Sequence, residues 1–246
     1  MKSSMLKWLM VLALVICGSL APAAQAALLD FGMGPSQYVT TELKFDPLTT
    51  KALIGTDINV YNLSAFTPKN PGLYTVLSGK LNFITGNYID SSNSRWNFAS
   101  GGSLTLSGDV GYYAGNGAPI PSNWTSISGG FVTLATGNFT SAMVVGAYVE
   151  QLKETFLVTI SGFTDTKNDT LETYLGIPTT TNYFGNLNLS FYVLGNKVPG
   201  DAFDAKVNQV GSGNFTNNVP LPSTVLLLGT GLVGLVGLRY RRKRQG

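Results

Sequence analysis

The sequence predicts an all-β protein: a single antiparallel β-sandwich or jelly-roll-like domain, preceded by a secretory leader and followed by one apolar transmembrane helix. Three observations predict the β-domain. Charged residues make up only 12% of the 246 residues, whereas glycine occurs 29 times, and such a composition favours strands and tight turns over helices. Several segments alternate between apolar and polar residues with period two. Gly and Asn separate these segments, as hairpin turns require.

The leader at residues 1–26 has the three parts of a secretory signal peptide. Two lysines precede an apolar run at residues 8–20, which is too short to span a membrane. Small residues follow this run, so that cleavage by the secretion machinery is expected before Ala27, after the A-x-A site of Ala24 and Ala26. An uncleaved anchor is the alternative. Removal of the leader also removes the single cysteine of the chain, so the exported part is expected to contain no disulfide.

Residues 27–195 are predicted to form the β-rich exported domain. Alternating segments are predicted to be strands that bury one face, and two continuous apolar segments are predicted to be central strands that bury both. Residues 91–123, rich in Gly, Ser and Asn, are predicted to form long loops. Residues 196–218 are predicted to be a polar Gly- and Asn-rich stalk. The predicted strands lie at 38–45, 81–85, 103–107, 131–134 and 187–194, with the central ones at 143–149 and 156–160.

Composition excludes several classes of function. The chain has no histidine, which excludes Ser-His-Asp catalysis, histidine-ligated zinc and histidine general bases. Two of the 16 basic residues lie in the leader and five in the tail, which leaves nine in the exported part. All 13 acidic residues lie in the exported part, so its formal net charge is 9 − 13 = −4. A mildly acidic domain has no electrostatic surface for nucleic acid. Nucleic-acid binding is therefore not expected.

Four aromatic residues in or near the predicted loop-rich segment are candidates for stacking on a ligand. Aromatic rings exposed on loops mark binding sites, and their faces can cover the apolar faces of sugar rings. The alternative is that these rings pack within the core or against the loops. The candidates are Trp96, Tyr112, Tyr113 and Trp124.

A cluster of oxygen-bearing side chains is a candidate for a calcium site. Calcium accepts carboxylate and amide oxygens as ligands, but the spacing here is not that of an EF-hand loop. A hydrated turn is the alternative. No other cofactor is expected. The cluster consists of Asp165, Asn168, Asp169 and Glu172.

The tail at residues 219–246 has three consecutive features. Prolines punctuate its start, where a helix leaves its first N–H groups unpaired in any case. An uncharged apolar run at 221–238 follows, close to the ~20 residues that a spanning helix needs. The basic residues at 239–244 are expected to stay in the cytoplasm. The junction consists of Val219, Pro220, Leu221 and Pro222, and the basic cluster of Arg239, Arg241, Arg242, Lys243 and Arg244.

This arrangement resembles the PEP-CTERM sorting signal of Gram-negative bacteria in its VPLP form, with Leu221 at the place where the family's naming motif has Glu. The resemblance implies recognition by an exosortase, a membrane-embedded sorting enzyme of cysteine-protease or transpeptidase type. It also implies an exported protein associated with exopolysaccharide and biofilm. The departure at Leu221 leaves two fates open: the tail is cleaved, or it anchors the protein permanently.

These features predict an exported protein of the cell surface or the exopolysaccharide matrix, structural or carbohydrate-binding and without enzymatic activity. Its expected partners are the secretion machinery, the inner membrane that holds the precursor, an exosortase-like enzyme and exopolysaccharide. The alternatives are a permanently membrane-anchored surface protein and a secreted carbohydrate-active enzyme. Such an enzyme would use two carboxylates about 5 to 10 Å apart.

Overall fold

The computed structural model describes the chain between residues 27 and 218 with gaps. The leader and the tail lie outside the described residues, and with them Ala24, Ala26, the predicted junction, the apolar run and the basic cluster. Within the described ranges no helix has the length and apolar character needed to cross a membrane. The described ranges are 27–34, 41–67, 69–92, 95–113, 123–140, 142–148, 153–179, 183–194, 197–198, 200–206 and 210–218.

Antiparallel strands make up most of the described chain, which confirms the predicted all-β class. Each predicted strand coincides at least in part with an observed one, because alternation of apolar and polar residues reports a strand directly. The described strands are β1 Leu28–Met33, β2 Glu42–Phe45, β3 Ala52–Phe66, β4 Gly72–Asp90, β5 Arg95–Phe98, β6 Gly102–Tyr113, β7 Trp124–Ser126, β8 Val132–Phe139, β9 Ala142–Tyr148, β10 Lys153–Lys167, β11 Tyr183–Leu194, β12 Phe203–Lys206 and β13 Val210–Asn218, and the described helix is α1 Asp169–Leu175.

Eight of these strands form a sheet that closes on itself. The order is β3-β1-β13-β11-β10-β8-β6-β4, and β4 pairs again with β3. The shorter strands extend this wall: β5 and β9 connect β4 to β10, and β12 pairs with β2 at the edge of β3. The predicted sandwich or jelly roll is thus corrected to one closed sheet. Period-two alternation reports one buried face, which is the same in both architectures.

Aromatic side chains fill the inside of the closed sheet. Phe163 stacks on Phe215 with ring centroids 4.6 Å apart, and the edge of Phe31 meets Phe215 at 5.7 Å. A second aromatic group surrounds Phe45, whose centroid lies 5.3 Å from that of Phe98 and 5.7 Å from that of Phe203. The interior is therefore a packed core, as small closed sheets require.

The predicted stalk is wrong where the structure describes it. Within 196–218, β12 and β13 are strands, and β13 lies between β1 and β11 in the sheet. The mean composition of this segment is polar, but Phe215 is buried at its centre. Burial of that ring and pairing on both sides outweigh the low strand propensity of Gly and Asn.

The predicted long loops at 91–123 are likewise replaced in part by strands. β5 and β6 lie within this segment, and Trp96, Leu104 and Val110 are buried. Strand pairing satisfies the backbone of β6 on both sides, through β4 and β8. Glycines in the segment fit close backbone approaches, so their abundance does not indicate a loop here.

Both ends of the described chain lie at the same edge of the closed sheet. Leu28, at the start of β1, is opposite Asn218, at the end of β13, and opposite Phe66, at the end of β3. The turn between β3 and β4 and the helix α1 between β10 and β11 lie at this edge as well, because antiparallel strands alternate in direction. We call it the terminal edge.

Candidate functional site

Trp96 is not available to a ligand. Its side chain is 0% exposed, and its indole N–H donates a hydrogen bond to the carbonyl oxygen of Asp201 at 3.1 Å. The ring meets the edge of Phe203 at a centroid distance of 5.8 Å. The prediction that Trp96 stacks on a ligand is therefore wrong. The signal for its burial was present in β5, where Trp96 and Phe98 alternate with polar residues.

Tyr113 and Trp124 pack against each other. They are opposite residues of β6 and β7, and their ring centroids are 5.0 Å apart. The indole N–H of Trp124 donates to Asp109 Oδ2 at 2.8 Å. Both rings are half-buried, and each covers part of the other.

Tyr112 is the candidate that the structure leaves exposed. Its side chain is 40% exposed and lies on a shallow, open groove with a volume of about 550 Å³. The groove is formed by the turn between β3 and β4, the end of β6, β7 with the residue after it, and α1. Its lining combines two tyrosines, several hydroxyl groups and one charge of each sign: Lys69, Tyr112, Thr125, Ser126, Ile127, Asp169, Thr170, Thr173 and Tyr174.

Capping at both ends of α1 positions the second tyrosine of the groove. Asn168 Oδ1 accepts the backbone N–H of Leu171 at 3.0 Å, as an N-cap residue does. Gly176 ends the helix in the left-handed conformation, with φ of 70°. The amide of Asn70 donates to the carbonyl oxygen of Tyr174 at 2.7 Å. These contacts fix the helix against the turn between β3 and β4, and Tyr174 with it.

The predicted calcium ligands do not converge. Asn168 caps α1, Asp169 is exposed in the groove, and Asp165 and Glu172 are buried inside the closed sheet. Among the described residues no group of three His, Cys, Asp or Glu side chains could hold a metal ion. Neighbours in sequence are separated here because β10 ends and α1 begins within the cluster, and the two elements send successive side chains in different directions.

Inside the closed sheet, Asp165, Lys167 and Glu172 form a buried charged cluster that the sequence analysis missed. The side chains of Asp165 and Lys167 have no exposed surface, and Lys167 Nζ contacts Asp165 Oδ2 directly. Lys167 Nζ also lies 5.0 Å from the ring centroid of Tyr183 and 5.3 Å from that of Phe215. Extending the alternation from buried Phe163 along β10 would have placed both charged residues inside.

Burial perturbs the acid-base behaviour of this cluster. It lowers the pKa of Lys167 to about 8, although the negative charge of Asp165 opposes this. Burial also raises the pKa of Glu172, more than its hydrogen bond with Tyr183 lowers it. Glu172 Oε2 is buried and has no hydrogen-bond partner. The interior therefore disfavours the charged forms of both side chains.

Glu172 is expected to make the protein less stable as the pH rises. Its folded-state pKa lies above the ordinary value of 4.5, so above pH 4.5 the folded protein retains a proton that the unfolded chain has lost. The free energy of unfolding should then fall as the pH rises above 4.5, until the pH passes the folded-state pKa of Glu172. Urea unfolding of the wild type and Glu172→Gln across this range measures the effect. Parallel pH profiles for the two proteins would contradict it.

Comparison with known proteins concerns the end of the chain. Residues 218–243 match the family model of the PEP-CTERM protein-sorting motif. No curated protein and no solved structure matches the chain. The matched segment starts at Asn218, which is also the last residue of β13 and lies on the terminal edge. Residues 218–243 are thus a PEP-CTERM protein-sorting motif, and this chain is exported and sorted toward the cell surface through recognition by an exosortase-type enzyme.

Proposed function

We propose that the exported domain is a non-enzymatic carbohydrate-binding protein of the cell surface or the exopolysaccharide matrix. The observation that carries this proposal is the groove at Tyr112 and Tyr174. Tyrosine faces cover the apolar faces of sugar rings, and the tyrosine hydroxyls can bond to sugar hydroxyls. Thr125 and Thr173, whose side chains carry hydroxyl groups, line the same groove. An open groove of this kind fits a segment of a polymer better than an enclosed small molecule.

The terminal edge supports delivery of the domain as an intact unit. Leu28 is paired with Asn218, so the junctions with the leader and with the sorting motif lie side by side. Cleavage before Ala27 leaves β1 intact, and cleavage after Asn218 leaves β13 intact. Processing at both junctions therefore costs the sheet no strand. A domain with this arrangement can be processed and released without refolding.

The positions of the carboxylates favour binding over glycoside hydrolysis. Among the described residues that line the groove, Asp169 alone carries a carboxylate. Hydrolysis by the usual mechanisms requires two carboxyl groups on either side of the scissile bond. Asp165 and Glu172 do lie in the same interior, but both are about 2% exposed, and a polymer cannot reach them. These placements support a binding role for the domain.

Tyr112→Ala is expected to weaken binding of the exopolysaccharide from the producing cells by about tenfold, or ~1.4 kcal/mol. Affinity electrophoresis of the purified protein in gels containing that polysaccharide measures the change. Tyr61→Ala is the matched control, since Tyr61 is 50% exposed but does not line the groove. Retained binding by Tyr112→Ala, or equal loss in both variants, would contradict the proposed site. If the wild-type protein binds no polysaccharide, the carbohydrate-binding proposal is contradicted, and a structural role is the remaining function.

A further inference from the structure

We propose that Lys167 and Asp165 condense to an intramolecular isopeptide bond after folding, with Glu172 as the proton carrier. The geometry points to this modification through three features of the closed sheet: an amine and a carboxyl group in direct contact, an aromatic enclosure, and a third carboxyl group with an unpaired oxygen. The modification is independent of the carbohydrate-binding proposal.

The first feature is the contact itself. Asp165 and Lys167 are two residues apart on β10, so their side chains point to the same face of the strand. Their Cβ atoms are then separated by about 7 Å. An extended lysine side chain, one amide bond and the aspartate methylene can bridge that distance without a change in the strand. Lys167 Nζ already contacts Asp165 Oδ2.

The second feature is the enclosure, which excludes water. Tyr183 and Phe215 lie on Lys167, with their ring centroids about 5 Å from its nitrogen, and neither Asp165 nor Lys167 has exposed side-chain surface. A buried ion pair keeps a large desolvation cost, and neutral groups of similar volume are often as stable or more stable. An amide bond carries no charge. The enclosure therefore favours the neutral reactants and the neutral product over the ion pair.

The third feature is Glu172 on α1. Its Oε2 is buried without a hydrogen-bond partner, and its charge interacts with both Lys167 and Asp165. An unsatisfied buried oxygen calls for an explanation. Burial raises the pKa of Glu172, which favours the protonated form of this carboxyl group. It can thus give a proton to one reacting group and accept one from the other.

The proposed reaction balances without any other reactant. The neutral amine of Lys167 attacks Cγ of the protonated Asp165 carboxyl group and forms the new C–N bond. Glu172 gives its proton to the departing hydroxyl group, which leaves as water when the C–O bond breaks. The carboxylate of Glu172 then takes the surplus proton from Lys167 Nζ. The products are one amide, one water molecule and the regenerated Glu172 carboxyl group.

Peptide mapping of the full protein recovered from the producing cells tests the proposal. Trypsin cleaves after Lys153, Lys167 and Lys197 in the unmodified chain. An amide on Lys167 blocks cleavage there, so the expected product is the single peptide 154–197, lighter by one water molecule than its sequence. Fragmentation should locate the link between Asp165 and Lys167. Separate peptides 154–167 and 168–197 would overturn the proposal, and a link at Glu172 would overturn Asp165 as the acceptor.

Two controls separate the chemistry from the fold. Lys80 Nζ lies 3.2 Å from Asp57 Oδ2, but both side chains are about one third exposed, and this pair should remain unlinked in the same digest. Glu172→Gln conserves shape and removes the proton carrier. Its folded form, verified by near-ultraviolet circular dichroism, should lose the link at least tenfold. A fully linked Glu172→Gln protein would overturn the role given to Glu172.

Discussion

Trp96→Ala is expected to lower the free energy of unfolding by about 3 to 5 kcal/mol, the usual cost of truncating a large buried side chain. Trp96 is 0% exposed and meets the edge of Phe203 at 5.8 Å. Its removal leaves a cavity among the rings of the second aromatic group. The carbonyl oxygen of Asp201 also loses the indole N–H that it accepts at 3.1 Å. Urea unfolding should show a lower midpoint with an unchanged slope.

Trp124→Ala is the matched control for this experiment. Trp124 is half-buried at the end of the sheet, where it packs on Tyr113 and bonds to Asp109. Its truncation should cost less, because water can occupy the space that the ring leaves. A loss of stability for Trp96→Ala no larger than that for Trp124→Ala would contradict the assignment of Trp96 to the core.

Neutralising the basic cluster of the tail is expected to reduce delivery to the cell surface by about tenfold or more. Four of the five residues lie in the segment matched to the sorting motif, and Arg244 directly follows it. A cluster of positive charges holds the end of an exported segment in the cytoplasm. Surface protease accessibility and the mass of the recovered protein measure the effect. The substitutions are Arg239→Gln, Arg241→Gln, Arg242→Gln, Lys243→Gln and Arg244→Gln.

Lysine in place of the four arginines is the control for this variant, since it keeps the charge and changes the side chains. Its delivery to the cell surface should be restored relative to that of the glutamine variant. Failure of the lysine variant would show that arginine itself is read, and normal delivery of the glutamine variant would contradict the charge mechanism. In the wild type, a measured mass that corresponds to a chain from Ala27 to a residue between Val219 and Pro222 supports cleavage by the sorting enzyme. A measured mass that corresponds to a chain ending at Gly246 supports permanent anchoring.

Local patterns in the sequence were sufficient for the all-β class and for the sorting motif. The alternation in segments such as 187–194 depends only on neighbouring residues, and it coincides with a strand in β11. The junction, apolar run and basic cluster follow one another within 28 residues, so the motif can be recognised from the sequence without knowledge of the fold. The same local view failed at 196–218, where average polarity concealed the buried Phe215.

Closure of the sheet and the positions of the candidate sites depend on contacts between distant residues. Alternation states that one face of a strand is buried, but it does not state which strand lies beside it, and the pairing of β3 with both β1 and β4 decides the closure. The aromatic candidates Trp96 and Tyr112 lie in the same predicted loop-rich segment, yet one is buried and the other lines the groove. By itself, then, the sequence determined the all-β class, several of the strands and the sorting motif. Only the tertiary structure decided the closure of the sheet, the lining of the groove and the enclosure of Lys167 by Tyr183 and Phe215, because these arise where residues far apart in the chain meet.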